Sequence, residues 1–367
     1  MKNDSLAARL AAAVEEPVDW WTEERFNELA LALFRHQHDN ISAYRRLCET
    51  RRVHPDRVSD WRDIPAVPTS AFKQMELFAG EKVANVFTTS GTTGGEGASG
   101  RSCFSQANLD LMETSTLINA RRMLFPDKDR IHILVLAPSP ELAPQMIMAW
   151  GMNRLIRHFG TDDSGFLVGP QGLDAPGLIK RLNDFSDRNE PVTIIGASFG
   201  FVNLLKGLSD KNISFSLPRG SRTMDAGGYK GRSEAWTRSD LEDALSACFG
   251  LDDGHMVNLM GMTELASQIY GDNLTATLAG AAPSGLKIPP PWLRSRVVDP
   301  LDMTDLPRGE EGVLLHLDLA NLDTPAAVLT DDLGVSRPGG FEILGRLKDD
   351  GGRGCSLTVD EMTGGNR

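Results

Sequence analysis

Residues 130–138 read RIHILVLAP. A continuous apolar run with β-branched residues, bounded by breakers, predicts a strand that is buried on both faces, as in a parallel sheet. The same texture returns in VTIIGAS (192–198) and SRTMDAGG (221–228), which are followed by a helical stretch and a glycine turn. Strands that alternate with helices in this way predict an α/β fold with layered, mostly parallel sheets and helices.

The sequence on either side of these strands predicts further organisation. Residues 1–80 are expected to form a helical N-terminal region, and residues 81–292 the α/β core. From residue 293 the pattern becomes rich in strands, with RSRVVDP, EGVLLHLDLA and FEILGR, which predicts a small β subdomain at 293–346. Residues 347–367 are expected to form a short flexible C-terminal tail, because the run DDGGRG is rich in glycine.

Composition excludes several classes of protein. The chain has 367 residues and a formal net charge of −12, which disfavours nucleic acid or an anionic membrane as the main partner. Its four cysteines include no CxxC pair, so we expect neither a disulfide framework nor a zinc site, but reduced thiols. No apolar run is long enough to span a bilayer. We therefore expect a soluble, cytoplasmic protein without membrane insertion.

The strongest local motif is the loop TTSGTTGGEGASGR at 88–101. Its glycines let backbone N–H groups approach a ligand, and its hydroxyls add donors, which suits polyphosphate oxygens. A solvated turn is the alternative. Within it, residues 95–102 come one substitution short of a Walker A loop. An Arg in the Lys position and a helix signal that begins only at Ser105 argue against that P-loop interpretation.

Two later motifs carry polar groups with matching chemistry. GMTE, 261–264, places a hydroxyl and a carboxylate at a turn after a strand, where the carboxylate is suited to Mg²⁺ beside phosphate oxygens. LTDDLG, 329–334, is expected to present carboxylates at a glycine turn, able to accept hydrogen bonds from ribose hydroxyls. Taken singly, each motif also fits acids that are merely solvated or that cap a turn.

The order of these motifs carries more information than any one of them. TSGTTG (89–94), GMTE (261–264), TDDLG (330–334) and GR (345–346) resemble the core motifs of the adenylate-forming superfamily, which joins carboxylic acids to AMP. Within it the chain is most similar to the LuxE-type acyl-protein synthetases, or long-chain-fatty-acid–protein ligases. Further support comes from DAGGYKGR, FGLDDGHMVNLMGMTELASQIY, DLANLDTPAAVLTDDLG and GGFEILGRLKDDGGRGCSL. The resemblance covers roughly residues 60 to 357.

The resemblance implies ATP and Mg²⁺ as cofactors and assigns roles by matching motif. For the phosphates of ATP, the resemblance assigns the β- and γ-phosphates to Ser90, Gly91, Thr92, Thr93 and Gly94, the α-phosphate to Thr263, and Mg²⁺ to Glu264. For the nucleoside, it assigns the ribose to Asp332 with Arg346, and the adenine slot to Gly227 and Gly228, with Met260 and Gly261 beside it. The acyl pocket is assigned to Ala197, Ser198, Phe199 and Gly200. Met260 departs from the family pattern, since an aromatic residue commonly stands there. A thioether can still pack against adenine, but the stacking ring is lost.

The resemblance also assigns a nucleophile. Most adenylating enzymes carry a C-terminal lid domain after the GR motif, and we expect it to be absent here. In LuxE-type proteins a cysteine near the C-terminus accepts the acyl group, and Cys355 in RGCSL matches it. A free thiol with a pKa near 8.5 is mostly protonated at neutral pH. A charge on Arg353 that points at the sulfur would raise the thiolate fraction.

Together these observations predict an ATP-dependent acid–thiol ligase. A fatty or related carboxylic acid would form acyl-AMP and pyrophosphate, and then a thioester on Cys355. A partner reductase or carrier protein would take the acyl group next. Two alternatives stay open: an adenylating ligase that passes the acyl group directly to CoA, a carrier thiol or an amine, and a non-catalytic nucleotide- or acyl-binding subunit.

Overall fold

The computed structural model describes residues 5–88, 100–227, 236–347, 358–359 and 361–363. The helices are α1 (Leu6–Glu15), α2 (Glu23–Asn40), α3 (Ser42–Thr50), α4 (Gln106–Met123), α5 (Ile147–Phe159), α6 (Ala175–Asp187), α7 (Ser198–Ser209), α8 (Arg238–Phe249) and α9 (Asn273–Leu278). The strands are β1 (Val67–Pro68), β2 (Asn85–Thr88), β3 (Arg101–Phe104), β4 (His132–Pro138), β5 (Gly165–Gly169), β6 (Gly172–Leu173), β7 (Val192–Ala197), β8 (Arg222–Ala226), β9 (Met256–Met260), β10 (Ile269–Gly271), β11 (Lys287–Ile288), β12 (Leu293–Val298), β13 (Glu311–Asp318), β14 (Ala327–Arg337) and β15 (Gly340–Arg346).

The chain forms two compact units. The first unit comprises Met1–Ile118, Met262–Gln268 and Leu286–Arg367, and the second comprises Asn119–Gly261 and Ile269–Gly285. The first unit therefore joins the helical N-terminal region to the strand-rich C-terminal region, which are separated in the sequence by most of the second unit. The division into four consecutive segments stays a prediction.

The second unit contains the parallel sheet. Its strands follow the order β10-β9-β8-β7-β4-β5-β6, in which β9, β8, β7, β4 and β5 pair in parallel. Buried side chains of the central strands, such as Ile194 and Leu134, pack with apolar side chains of α6, α7 and α8, including Leu182, Phe201 and Leu245. Continuous apolar strands covered by amphipathic helices confirm the predicted α/β fold.

The first unit contains an antiparallel sheet in the order β12-β13-β14-β15-β11. The short strand β1 adds to it in parallel, with Val67 opposite Val328 of β14. Helix α2 is tied to the same region by a buried amide, since Gln37 Nε2 lies 2.6 Å from the carbonyl oxygens of Asn321 and of Thr324. These contacts explain why distant parts of the sequence share one unit.

The predicted glycine turn at 329–334 was wrong. Strand β14 runs without interruption from Ala327 to Arg337, with only a register shift between Leu333 and Gly334. A Cβ at Gly334 would lie 2.7 Å from the carbonyl oxygen of Glu342 on β15. The glycine is therefore required by close packing of neighbouring strands and not by a change of chain direction.

None of the helices in the described residues has both the length and the apolar character needed to cross a membrane.

Candidate active site

Three of the predicted segments end at one edge of the parallel sheet. In the register of the second unit, Ala197 of β7 lies opposite Ala226 of β8, and Ala226 lies opposite Leu259 of β9. Parallel strands end at a common edge, so Ala197, Gly227 and Met260 are brought together there. Ligands of open α/β sheets bind at this carboxyl edge.

A buried aspartate holds the turn that follows β8. Asp225 is 2% exposed, and its carboxylate accepts hydrogen bonds from Arg238 Nη1 at 2.6 Å and Asn258 Nδ2 at 2.8 Å. The Ser198 hydroxyl lies 2.7 Å from Asp225 Oδ2 and 2.9 Å from the carbonyl oxygen of Gly227. Gly227 itself has a φ of +83°, a conformation that favours glycine. The network therefore fixes the backbone at this edge.

The four residues assigned to the acyl pocket differ in their surroundings. Ala197, Phe199 and Gly200 are half-buried at the start of α7, whereas Ser198 is buried. Because the Ser198 hydroxyl forms hydrogen bonds with the Asp225 carboxylate and the Gly227 carbonyl oxygen, it stabilises the backbone at Gly227. Phe199 is the one large apolar side chain among the four assigned residues.

In the first unit, Asp332 and Arg346 are cross-strand partners on β14 and β15. Arg346 Nε donates to Asp332 Oδ1 at 2.9 Å. The aspartate side chain is 14% exposed and the arginine side chain 59% exposed. The pair thus places a carboxylate oriented by a cation at the surface of the unit, a group able to accept hydrogen bonds from a sugar diol.

Thr263 and Glu264 also lie in the first unit, on a turn held by two polar side chains. Asn321 Nδ2 donates to the carbonyl oxygen of Glu264 at 2.8 Å, and Asn321 Oδ1 accepts from the Ala266 N–H at 2.7 Å. Asp318 accepts from the Ser267 N–H at 2.7 Å. Thr263 and Glu264 are both buried. Their positions are therefore set by the antiparallel sheet and not by a free loop.

The Glu264 carboxyl has an unusual electrostatic environment. Burial raises its pKa to about 7, while the charges of Lys73 and Arg346 lower the pKa and that of Asp331 raises it. The charges that act on Glu264 therefore include Lys73, which the sequence did not predict as a site residue, as well as Arg346 and Asp331.

The backbone explains how Lys73 arrives there. Strand β1 runs parallel to β14, and the 3-10 helix Thr69–Lys73 follows β1 directly. Thr69 Oγ1 donates to Asp331 Oδ2 at 3.3 Å, which ties this short helix to the acidic part of β14. The position of Lys73 thus depends on a pairing between residues 261 positions apart, such as Val67 and Val328, which local sequence patterns do not reveal.

The donor chemistry fits a magnesium ion that is shared with a polyphosphate. Mg²⁺ is usually held by one or two carboxylates together with phosphate and water oxygens. Glu264 supplies a buried carboxylate that is not neutralised by an ion pair within the described residues. In that part of the chain, no cluster of three or more His, Cys, Asp or Glu side chains forms a metal cage made of protein alone.

Several assigned residues lie outside the described residues: Ser90, Gly91, Thr92, Thr93 and Gly94, together with Gly228 and Cys355. The ends of the glycine-rich segment are described, however. Thr88 pairs with Arg101 in the antiparallel hairpin of β2 and β3. Strand β3 also contacts the 3-10 helix Thr69–Lys73. The residues on either side of this segment therefore belong to a hairpin that contacts the 3-10 helix containing Lys73.

Comparison with known proteins gives a consistent result. A family described as acyl-protein synthetase, LuxE, matches residues 11–363. The long-chain-fatty-acid–luciferin-component ligase of Vibrio harveyi is 24% identical over 361 residues, which cover 94% of this chain and 90% of the relative. The ligase of the same name from Aliivibrio fischeri is 24% identical over 362 residues, or 94% and 91% of the two chains.

Solved structures share the fold. An open conformation of 2-hydroxyisobutyryl-CoA ligase in complex with 2-HIB-AMP and CoA aligns with a TM-score of 0.61 at 12% identity, covering 88% of this chain and 70% of that one. The same ligase in its postadenylation state gives a TM-score of 0.61 at 14% identity, covering 88% and 68%.

Proposed function

Because this chain belongs to the LuxE acyl-protein synthetase family, we propose that it is an ATP-dependent acid–thiol ligase. It activates a carboxylic acid as acyl-AMP and passes the acyl group to a thiol. The observation that carries this proposal is the grouping of Asp332, Arg346, Glu264 and Lys73 within one unit, because it combines a ribose acceptor with charges suited to phosphates.

ATP binding in this proposal rests on the residues that the family resemblance assigns to each part of the nucleotide. Asp332 accepts hydrogen bonds from the ribose hydroxyls and is held in place by Arg346. Gly227, Gly228, Met260 and Gly261 are assigned to adenine, and the segment from Ser90 to Gly94 to the β- and γ-phosphates. Thr263 is assigned to the α-phosphate. The support for these roles is the family match together with the placement of the described residues.

The first step needs charge neutralisation. An oxygen of the substrate carboxylate attacks the α-phosphorus of ATP, the bond from that phosphorus to the bridging oxygen breaks, and pyrophosphate leaves. Both reactants are anions, so the positive charges of Lys73 and Arg346 lower the barrier to their approach. Bound through Glu264, Mg²⁺ would supply further stabilisation of the charge on the phosphates.

The second step moves the acyl group to sulfur. The thiolate of Cys355 attacks the acyl carbon of the mixed anhydride, the carbon–oxygen bond to AMP breaks, and AMP leaves. The thiol proton is given up before or during attack, and the product is a thioester. The acyl-AMP oxygen is a far better leaving group than a free carboxylate oxygen, which makes this transfer feasible.

We propose a long-chain fatty acid as the substrate, since the relatives from Vibrio harveyi and Aliivibrio fischeri are named as ligases of such acids. A protein that accepts the acyl group from Cys355, a reductase or a carrier protein, would complete the sequence. Direct transfer to CoA, to a carrier thiol or to an amine is the competing outcome.

The test is covalent labelling. The protein is incubated with a radiolabelled fatty acid, ATP and Mg²⁺, and the bound label is challenged with hydroxylamine, which cleaves thioesters. We expect hydroxylamine-sensitive label that needs ATP and disappears in Cys355→Ser, while Cys48→Ser keeps it. Label that persists in Cys355→Ser contradicts the thioester step. Acid-dependent pyrophosphate release without protein label would favour direct transfer, and no release with any acid would favour the binding-subunit alternative.

A further inference from the structure

Strands β13 and β14 are joined by residues 319–326, here called the connector, which contains buried polar side chains. Asn321 and Asp323 are 0% and 2% exposed. Connections between strands usually lie at the surface, because a buried polar group loses its hydrogen bonds to water and needs replacements within the protein. The partners of the connector therefore indicate what it holds in place.

Two buried amides fix the backbone of the connector. Gln37 of α2 donates through Nε2 to the carbonyl oxygen of Asn321 at 2.6 Å and accepts through Oε1 from the Ala326 N–H at 2.9 Å. Asn108 of α4 donates through Nδ2 to the carbonyl oxygen of Ala320 at 2.7 Å. The backbone from which the Asn321 side chain extends is thus held by two helices of the first unit.

The Asn321 side chain in turn holds the residue assigned to the metal. Its Nδ2 donates to the carbonyl oxygen of Glu264 at 2.8 Å, and its Oδ1 accepts from the Ala266 N–H at 2.7 Å. One amide therefore binds the backbone on both sides of Leu265 with its donor and its acceptor. A change in the hydrogen bond to Glu264 would shift the Cα atom from which the carboxylate extends.

The place of this turn in the chain explains why it needs such contacts. Met262–Gln268 belongs to the first unit, whereas the paired strands β9 and β10 on either side of it belong to the second. Asp318 holds the far end of the turn, since its carboxylate accepts from the N–H of Ser267 at 2.7 Å and from its hydroxyl at 2.8 Å. Of these contacts, the one from Asn321 reaches Glu264 itself.

From these contacts we propose that Asn321 is a positioning residue for the complex of metal and nucleotide: by holding the backbone of Glu264, it orients the carboxylate for Mg²⁺ bound to ATP. This role rests on the proposed function, in which Glu264 binds that ion. Asn321 touches neither the metal nor the nucleotide and acts through Glu264. Groups that orient a metal ligand in this way strengthen metal binding, because the ligand needs less ordering when the ion arrives.

The experiment measures binding without turnover. The full-length chain is titrated by calorimetry with an ATP analogue whose α–β bridge is a methylene group, once with Mn²⁺ in place of Mg²⁺ and once with EDTA. The ratio of the two affinities is the metal gain. Asn321→Ala is the test variant, Glu264→Gln removes the ligand, and a double variant combines the two substitutions.

Asn108→Ala is the matched control. Asn108 is also 0% exposed and, besides its bond to Ala320, it accepts through Oδ1 from the Asp323 N–H at 3.0 Å. Both amides thus donate to one carbonyl oxygen and accept from one backbone N–H two or three residues further on. Those of Asn108 belong to the connector, and those of Asn321 belong to the turn that carries Glu264.

We expect Asn321→Ala to reduce the metal gain by about tenfold or more, the usual effect of losing a group that orients a metal ligand. Its affinity in EDTA should stay within twofold of the wild type. Asn108→Ala should lower the urea midpoint of unfolding by a similar amount but keep the metal gain. In the Glu264→Gln background, Asn321→Ala should have no further effect on the metal gain, because it acts through that carboxylate.

A wild-type metal gain in Asn321→Ala would overturn the positioning role, and so would an equal loss in Asn108→Ala or a further loss in the Glu264→Gln background. Should Asn321→Ala fold poorly, Asn321→Asp keeps the size and the acceptor of the side chain and replaces the donor to Glu264. It must reduce the metal gain while Asn108→Asp does not. A wild-type chain without a metal gain, or Glu264→Gln that keeps it, would refute the proposed metal ligand and with it the positioning role.

Discussion

Arg346 reaches across from β15 to Asp332 on β14, and its Nε lies 2.9 Å from the aspartate Oδ1. The two residues face each other in the strand register, so neither depends on a flexible loop for its position. Arg346 also acts on the buried Glu264 carboxyl, whose pKa its charge lowers. One arginine thus connects the assigned ribose acceptor to the assigned metal ligand.

The Asp332 carboxylate is predicted to be needed for nucleotide binding. Asp332→Asn should raise the KM for ATP by about tenfold or more, because hydrogen bonds to a charged group contribute about 1.5–3 kcal/mol. The KM for the acid should change little. Glu342→Gln is the control, since Glu342 pairs with Arg337 at 3.3 Å on the same two strands. If both substitutions change the KM for ATP equally, Asp332 does not bind the nucleotide.

Lys73 is predicted to act in adenylation. Lys73→Ala should lower kcat for acid-dependent pyrophosphate release by about a hundredfold, the usual scale for losing one charge that stabilises a transition state. Lys73→Arg should keep part of the activity, and Lys206→Ala, at an exposed lysine of α7, should keep all of it. A Lys73→Ala enzyme within twofold of the wild type would refute this role.

Ser198 is predicted to support the glycine turn. Ser198→Ala leaves Asp225 with Arg238 and Asn258 as partners, so the free energy of unfolding should fall by about 1–2 kcal/mol. Urea denaturation measures this change, with Ser209→Ala, at the exposed end of α7, as the control. Unchanged stability together with an altered preference among acids would show instead that the hydroxyl contacts the substrate.

His316 is predicted to make stability depend on pH. Burial lowers its pKa to about 3, whereas an unfolded histidine titrates near 6.5. Below pH 6.5 the unfolded state therefore binds a proton that the folded state excludes, and stability falls as the pH falls, by at most about 1.4 kcal/mol per pH unit.

His316→Gln removes this contribution. The difference in unfolding free energy between the wild type and His316→Gln should shrink steadily when denaturation is measured at pH 7, 6 and 5. A difference that stays constant across that range would mean that His316 is protonated in the folded state or accessible to solvent.

The sequence was informative where structure is local. The apolar runs at 130–138 and 192–198 predicted buried parallel strands, and parallel strands bring their carboxyl ends together without any further information. The placement of Ala197, Gly227 and Met260 at one edge follows from that rule.

Sequence reasoning failed where contacts are long-range. Gly334 was taken as a turn residue because a glycine after two aspartates is typical of turns, yet it serves close strand packing against Glu342. Lys73 was missed because only the pairing of β1 with β14 reveals its surroundings. The complete burial of Met362 likewise has no signal in the local sequence.

The most direct test of carboxylate activation by this chain is exchange of radiolabelled pyrophosphate into ATP, measured with a panel of fatty acids of increasing length. Adenylation is reversible, so we predict exchange that requires both Mg²⁺ and an acid, survives Cys355→Ser, and is lost in Glu264→Gln and Lys73→Ala. Exchange that is absent with every acid, or that proceeds equally well without acid, would show that this chain does not activate a carboxylate by adenylation.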